Sequence, residues 1–172
     1  MSTKSLIVYY SRRGENYWKG EIRNLERGNS EIAAEFIQNA VGGDLFHVET
    51  VKPYAAGYKE CCAQAQIEWK ENARPEIREF LESIDEYETI FLVFPCWYGT
   101  LPMCMFTFLD HYNLSGKKLA PLCSNEGSGM GKSERDLSAR YPTAEILTGL
   151  SVQGHNTLAS AERIADWAKR LV

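Results

Sequence analysis

The sequence predicts an α/β fold, a three-layer sandwich in which helices cover both faces of a parallel sheet. Three observations predict it. Five strand-like runs alternate with helical patterns, two of those runs are almost continuously apolar, and no repeat, low-complexity tract or linker interrupts the alternation. At 172 residues with 44% hydrophobic side chains, the chain has material for one core, and 1–172 reads as a single domain.

The first strand is Ser5 to Tyr10 (SLIVYY), a run that suits burial on both faces. The first helix is Ser30 to Ala40, where Ile32, Ala33, Phe36, Ile37 and Ala40 share one face. Asp44 to Glu49 (DLFHVE) is the second strand. The more charged middle, Tyr58 to Asn72 and Pro75 to Ser83, reads as a helix interrupted near Arg74-Pro75, because proline removes an N–H donor. Thr89 to Phe94 (TIFLVF) is the third strand and Leu101 to Tyr112 a further helix. Lys118 to Ser124 and Ala144 to Val152 supply the last two strands. In the final helix Leu158, Ala161, Ile164, Ala165, Ala168 and Leu171 form the apolar stripe, with Asn156 or Thr157 as its cap.

Composition excludes several functions. Lys and Arg total 19 against 23 Asp and Glu, a formal charge of -4 with no basic block to follow a phosphodiester backbone, so nucleic acid is not expected as a partner. No apolar run approaches the roughly 20 residues that cross a bilayer, and MSTKSLIVYYSRRG turns polar too early for a signal peptide, so no membrane is expected and a cytoplasmic location is. The five cysteines are odd in number and lack C-x-x-C spacing, which points to free thiols. Cys61 and Cys62 are adjacent, so a helix turns them about 100° apart, and they read as helix filler rather than a redox pair. Asn113-Leu114-Ser115 matches a glycosylation pattern by chance.

Ligands of such sheets bind beyond the carboxyl ends of the strands, so the loops there carry the functional argument. The first, Ser11 to Ser30, is roughly twenty residues where 2 to 6 are usual. Its ends, Ser11 and Gly28-Asn29-Ser30, offer hydroxyls, an amide and a helix N-terminus suited to a phosphate, while Asn29 or Ser30 would equally serve as a plain helix cap. The second, PCWYGTLP from Pro95 to Pro102, places two aromatics after the most apolar strand, as core cover or as a wall for a flat ring. Gly99 lets the backbone approach a ligand. The third, NEGSGMGKS, suggests a Walker A loop, but Glu126 stands where the first glycine should be, and a carboxylate there would repel a polyphosphate. Its glycines, among Ser124, Asn125 and Ser128, are read instead as exposing backbone N–H groups to a planar heterocycle.

With these residues the chain resembles the flavodoxin family, specifically its short-chain FMN-binding bacterial branch, over essentially its full length. YYS and GNS match the two halves of the family's phosphate pattern, separated here by an insertion from Arg12 to Arg27, so the halves must meet in space. PCWYGTLP matches the family's flavin loop closely, and Gly127-Ser128-Gly129 its third loop, with Lys132-Ser133 opening the next helix. The resemblance implies a five-stranded parallel sheet in the order 2-1-3-4-5. It implies FMN held by Ser11, Arg13, Asn16, Tyr17, Asn29, Ser30, Pro95, Cys96, Trp97, Tyr98, Gly99, Ser124, Asn125, Gly127, Ser128 and Gly129.

FMN would supply the electron chemistry, and stacking on Trp97 or Tyr98 together with the negative charge would favour a low potential. The resulting expectation is a soluble low-potential electron carrier, monomeric or a weak dimer, that docks on redox partner proteins. The alternative is an NAD(P)H-dependent FMN reductase of quinones, nitro compounds or flavins, since a nicotinamide site can be open space over the flavin. Other hosts of this architecture do not fit. A signalling receiver needs acidic strand ends, where this chain has Ser11-Arg12-Arg13 and Pro95-Cys96, and a phosphatase needs C-x5-R, where Pro102 follows Cys96. His47, His111 and His155 lie apart with no ligand spacing, so no metal site is expected.

Overall fold

The structure, a computed structural model, describes residues 4–172. The first three residues, part of the stretch read against a signal peptide, lie outside the described residues.

The chain runs β1 (Lys4–Tyr9), β2 (Gly14–Trp18), β3 (Glu21–Leu25), α1 (Asn29–Val41), β4 (Asp44–His47), α2 (Tyr58–Glu71) and β5 (Tyr87–Pro95). It continues through α3 (Met103–Asp110), β6 (Lys118–Asn125), α4 (Ser133–Arg140), β7 (Glu145–Ile146), β8 (Leu150–Gln153) and α5 (Ala161–Arg170). The main sheet is parallel throughout, in the order β4-β1-β5-β6, with β7 and β8 both beside β6. Its order is the predicted one.

Burial alternates along the strands and divides the core in two. Leu6, Val8, Ile90, Leu92 and Phe94 face one side with α3, whereas Ile7, Phe91 and Val93 face the other with Ala33, Ala34 and Ile37 of α1 and Ile164 and Trp167 of α5. Burying a side chain of this size contributes about 1.5–3 kcal/mol, so both faces are strongly fixed. The sheet edge at Tyr9, Pro95, Asn125 and Gln153, where the strands end, is thereby held rigid.

Four expectations are corrected. The fifth strand is two short ones, giving six strands in the sheet: between the pairs Leu119↔Ile146 and Leu122↔Leu150, three residues of one strand face two of β6. Pro121 stands there without an N–H to donate, and Gly149 lies so close to it that a Cβ would come within 2.8 Å of the Pro121 carbonyl oxygen. The stretch from Pro75 to Ser83 is not helical, because its backbone is taken by the segment after β4: Val51 N–H donates to Glu76 O and Arg78 N–H to Glu49 O, around the Thr50↔Ile77 bridge. The second strand stops at His47 rather than Glu49. Asn156 and Thr157 do not cap the last helix; the Thr157 hydroxyl donates to Gly154 O in a 3₁₀ turn ahead of it. Among the described residues, no helix is long and apolar enough to cross a membrane.

Candidate functional site

The loops at the carboxyl edge enclose a cavity of about 350 Å³, within the range of small-molecule sites. Most of the insertion in the first loop folds as the antiparallel hairpin β2–β3. Its two ends do meet: a Cβ on Gly28 would lie 2.0 Å from Ser11 Oγ, so only glycine permits the contact. Ser11 Oγ accepts the Glu31 N–H at 3.1 Å, which makes Ser11, from the far end of the insertion, the residue that satisfies the first turn of α1. The choice between cap and ligand group for Asn29 and Ser30 is resolved to that extent, since α1 starts after Gly28 with no side-chain cap of its own. Asn29 lines the cavity, and the buried Ser30 hydroxyl has no hydrogen-bond partner.

Arg13 turns away from this cavity. Its guanidinium grips the buried Glu31 carboxylate with two bonds of 3.0 and 2.7 Å, and it lines a second, more open cleft beside β4. The Arg13 bond, opposed by burial, holds the Glu31 carboxyl below its ordinary range. Asn16 and Tyr17 of the hairpin do line the first cavity. The hairpin is strapped across the site from both sides: the Glu15 carboxylate accepts the first N–H of α2, from Tyr58, at 2.6 Å, and Lys19 N–H reaches Glu126 at 3.4 Å.

In the second loop Trp97 and Thr100 close a tight turn by exchanging backbone bonds of 3.0 and 3.3 Å. Trp97 is packed edge-on against Tyr10 and Tyr54 at 5.1 and 5.0 Å, so it covers the core with one part of the ring and walls the cavity with the rest. Tyr98 adopts φ 54°, a strained value for a bulky residue, and its hydroxyl is fastened to Cys62 O at 2.7 Å. Gly99 has φ 80° but does not line the cavity. The Thr100 hydroxyl is buried without a partner, like that of Ser30. Pro95 and Cys96 line the site, and hydrogen bonding from the Cys123 thiol, with smaller help from Ser128 and Gly99, holds the Cys96 thiol down at about 6 against burial.

The third loop is organised by Asn125. Its Oδ1 accepts the N–H groups of Gly127 and Gly129 at 2.9 and 3.1 Å, while its Nδ2 donates to Cys123 O and Ser151 Oγ. The expectation that these glycines leave their N–H groups free is therefore corrected. What the loop presents to the cavity is Ser124, Asn125, Glu126 and Ser128. The Gly-Lys-Ser that imitated a nucleotide loop is structural: a Cβ on Gly131 would lie 2.4 Å from Gly99 O, which also accepts the Lys132 N–H, and Ser133 opens α4 as expected.

Ser11, Arg13, Ser30, Gly99, Gly127 and Gly129 thus support the walls without lining them, and the other predicted residues line them. Sequence reading missed Arg12, Glu126, Gly154 and the α2 residues Tyr58, Cys61, Cys62 and Ala65. Glu126 is clamped by His155, whose backbone N–H and Nδ1 meet its two oxygens at 2.9 and 2.6 Å. Arg12, beside Ser11, and Glu126, inside the third loop, carried a local signal; α2 reaches the site through tertiary packing.

A family model described as Flavodoxin matches residues 26–171, starting where the hairpin insertion ends. The chain belongs to the flavodoxin family. Its likeness to solved structures agrees. A Bacteroides eggerthii protein provisionally assigned as a flavoprotein is 26% identical with a TM-score of 0.73, covering 95% of this chain and 99% of that one. A Lactobacillus acidophilus flavoprotein in complex with FMN is 18% identical, TM-score 0.66, over 94% and 99% of the two chains. The NAD(P)H:quinone oxidoreductase of Methanothermobacter marburgensis is 11% identical, TM-score 0.53, over 99% and 96%. These last two likenesses speak to the flavodoxin fold alone. Among curated proteins, none matches the sequence.

Proposed function

We propose that the chain binds FMN in this cavity and serves as a low-potential electron-transfer protein. The observation that carries the reading is the lining of the cavity, where the Trp97 ring and Asn29 at the start of α1 border one space. The N-terminus of α1, with Asn29 on the cavity wall, favours an anionic tail. The Trp97 ring, locked by Tyr10 and Tyr54, offers a preorganised face for a flat heterocycle.

Bound FMN would supply reversible one- and two-electron chemistry. The protein's own part is electrostatic. A formal charge of -4 opposes extra negative charge on the cofactor and lowers its potential. Acidic surface would also guide docking onto basic redox partners, and the five free thiols suit the cytoplasm. Anaerobic reductive titration of the purified yellow protein tests this. Uptake in two resolved one-electron stages is expected, whereas a colourless protein that fails to quench added FMN fluorescence would end the FMN reading.

One observation favours the second reading, an NAD(P)H-dependent reductase. Tyr58, Cys61, Cys62 and Ala65 of α2 add a wall that none of the three strand-end loops provides, as a site for a further substrate would need. Stopped-flow mixing with NADPH separates the two: bleaching of the flavin within a turnover time supports the reductase, and inertness toward NADPH supports the carrier.

A further inference from the structure

Three of the five free cysteines, Cys61, Cys62 and Cys96, line the cavity, and one of them has a second sulfur behind it. β5 and β6 run parallel with Phe94 opposite Cys123 and Pro95 opposite Ser124, and the Cys96 N–H donates to Ser124 O at 2.8 Å. The period of two along each strand turns Cys96 and Cys123 to the same face of the sheet, where both pack in one apolar cluster. The Cys123 thiol donates a hydrogen bond to the Cys96 sulfur, which also accepts from the Ser128 hydroxyl and the Gly99 N–H. A sulfur on the cavity wall is thus in contact with one that is 0% exposed.

Three donors that converge on one sulfur favour its thiolate, the nucleophilic form, and the Cys96 thiol accordingly sits at about 6. Burial pushes Cys61 up to about 11 and raises Cys104 too, while the bond it donates to Cys96 raises Cys123. We propose that Cys96 and Cys123 are a hydroperoxide-reactive thiol pair, in which Cys96 is oxidised from the cavity and Cys123 resolves it as a disulfide. The Cys96 thiolate attacks the peroxide: an S–O bond forms, the O–O bond breaks, and the leaving oxygen takes a proton, which leaves a sulfenic acid on Cys96. Cys123 sulfur then displaces that oxygen, its own proton departing with it as water, and the S–S bond forms. Two thiols and one hydroperoxide thereby give one disulfide, one alcohol or water from the peroxide and one further water, with two electrons passing from sulfur to oxygen. Cys96 is the first residue beyond β5, so the loop supplies the movement that closing the bond requires. The thiol chemistry needs no flavin. One source of oxidant does rest on the FMN reading: reduced flavin reoxidised by oxygen releases hydrogen peroxide into this same cavity.

The test exposes the reduced, flavin-free full-length chain to hydrogen peroxide at neutral pH, caps the remaining thiols and digests with trypsin without reduction. Peptides 79–117 and 119–132 are expected to appear joined, with fragmentation placing the bond at Cys96 rather than Cys104, and the free thiols fall from five to three. Cys96 should be consumed at least about tenfold faster than Cys61. In Cys123→Ser, and in Cys123→Ala as a second variant, Cys96 should instead accumulate as a sulfenic acid trapped by dimedone; in Cys96→Ser, Cys123 should keep its thiol. Melting of each variant before oxidation checks its fold, and the wild-type digest decides without them. Five thiols left intact, a bond between other cysteines, or Cys96 driven to sulfinic acid with Cys123 still free would each overturn the proposal. A second arm reduces the FMN-loaded protein and admits air without added peroxide. Joined peptides that catalase abolishes support the flavin as the source, and their absence overturns that source alone. Should the chain bind no FMN, that reading falls separately, and the first arm decides the thiol pair.

Discussion

Replacing Asn125 with alanine should loosen the whole third loop. The side chain is 8% exposed and makes four hydrogen bonds, two as donor to Cys123 O and Ser151 Oγ at 3.2 and 2.8 Å and two as acceptor from Gly127 and Gly129. The donor pair is buried between β6 and β8, so each bond is worth about 1 kcal/mol and its loss strands an acceptor. The glycine pair lies toward solvent, where water substitutes, and about half that value applies to each. The sum is about 3 kcal/mol, or a fall of about 6–12 °C in Tm for a domain of this size. Urea denaturation gives the first quantity and calorimetry the second. Flavin affinity should fall as well, since Asn125 fixes the positions of Glu126 and Ser128. A loss below about 0.5 kcal/mol with unaltered FMN binding would refute the view that one amide organises this loop.

Two further expectations concern charge. Because the Arg13 bond depresses the Glu31 carboxyl, Glu31 contributes stability that is fully present above its ordinary value near 4.5 and is lost as pH falls through the depressed one. The exposure of Arg13 keeps that contribution small, and Glu31→Gln should flatten the acid limb of the stability–pH curve below about pH 4.5 by lowering the neutral plateau by the same small amount. Denaturant midpoints from pH 7 to 3 measure it, and parallel curves for the two proteins would contradict the assignment. Cys96, held at about 6, is largely thiolate at neutral pH and should be the first cysteine alkylated by iodoacetamide, well ahead of Cys61 at about 11, with bound FMN slowing the reaction. Peptide mass mapping over time gives the order, and Cys61 reacting first would be the contrary result.

What was legible in the sequence was what local chemistry writes there. PCWYGTLP announced a cavity wall because a buried strand, two aromatics and a glycine stand consecutively, and Trp97 proved to serve both roles that its position allowed. The strands themselves followed from apolar runs visible residue by residue, whereas their order in the sheet was implied only by the resemblance to the flavodoxin family. Less legible were features made by distant partners. Ser11 satisfies α1 only because the hairpin brings it back, and Asn125 captures glycine N–H groups that looked free. The charged pattern of α2 gave no hint that Tyr58, Cys61 and Cys62 face a cavity, since that depends on where the preceding coil sets the helix down. Pro121 was the overlooked clue to the broken fifth strand, a missing donor in the middle of an otherwise apolar run.

The near-contact of Ser11 with Gly28 has a further meaning for how such a molecule is assembled. When the two ends of an excursion abut, neither the strand before nor the helix after registers how much chain lies between, and loop-closure cost grows by only about 0.6 kcal/mol per doubling of length. The hairpin is thus an exchangeable cassette plugged into a fixed socket. Shortened, lengthened or swapped for another motif, it would change what the mouth of the cavity admits while the framework beneath stays as it is.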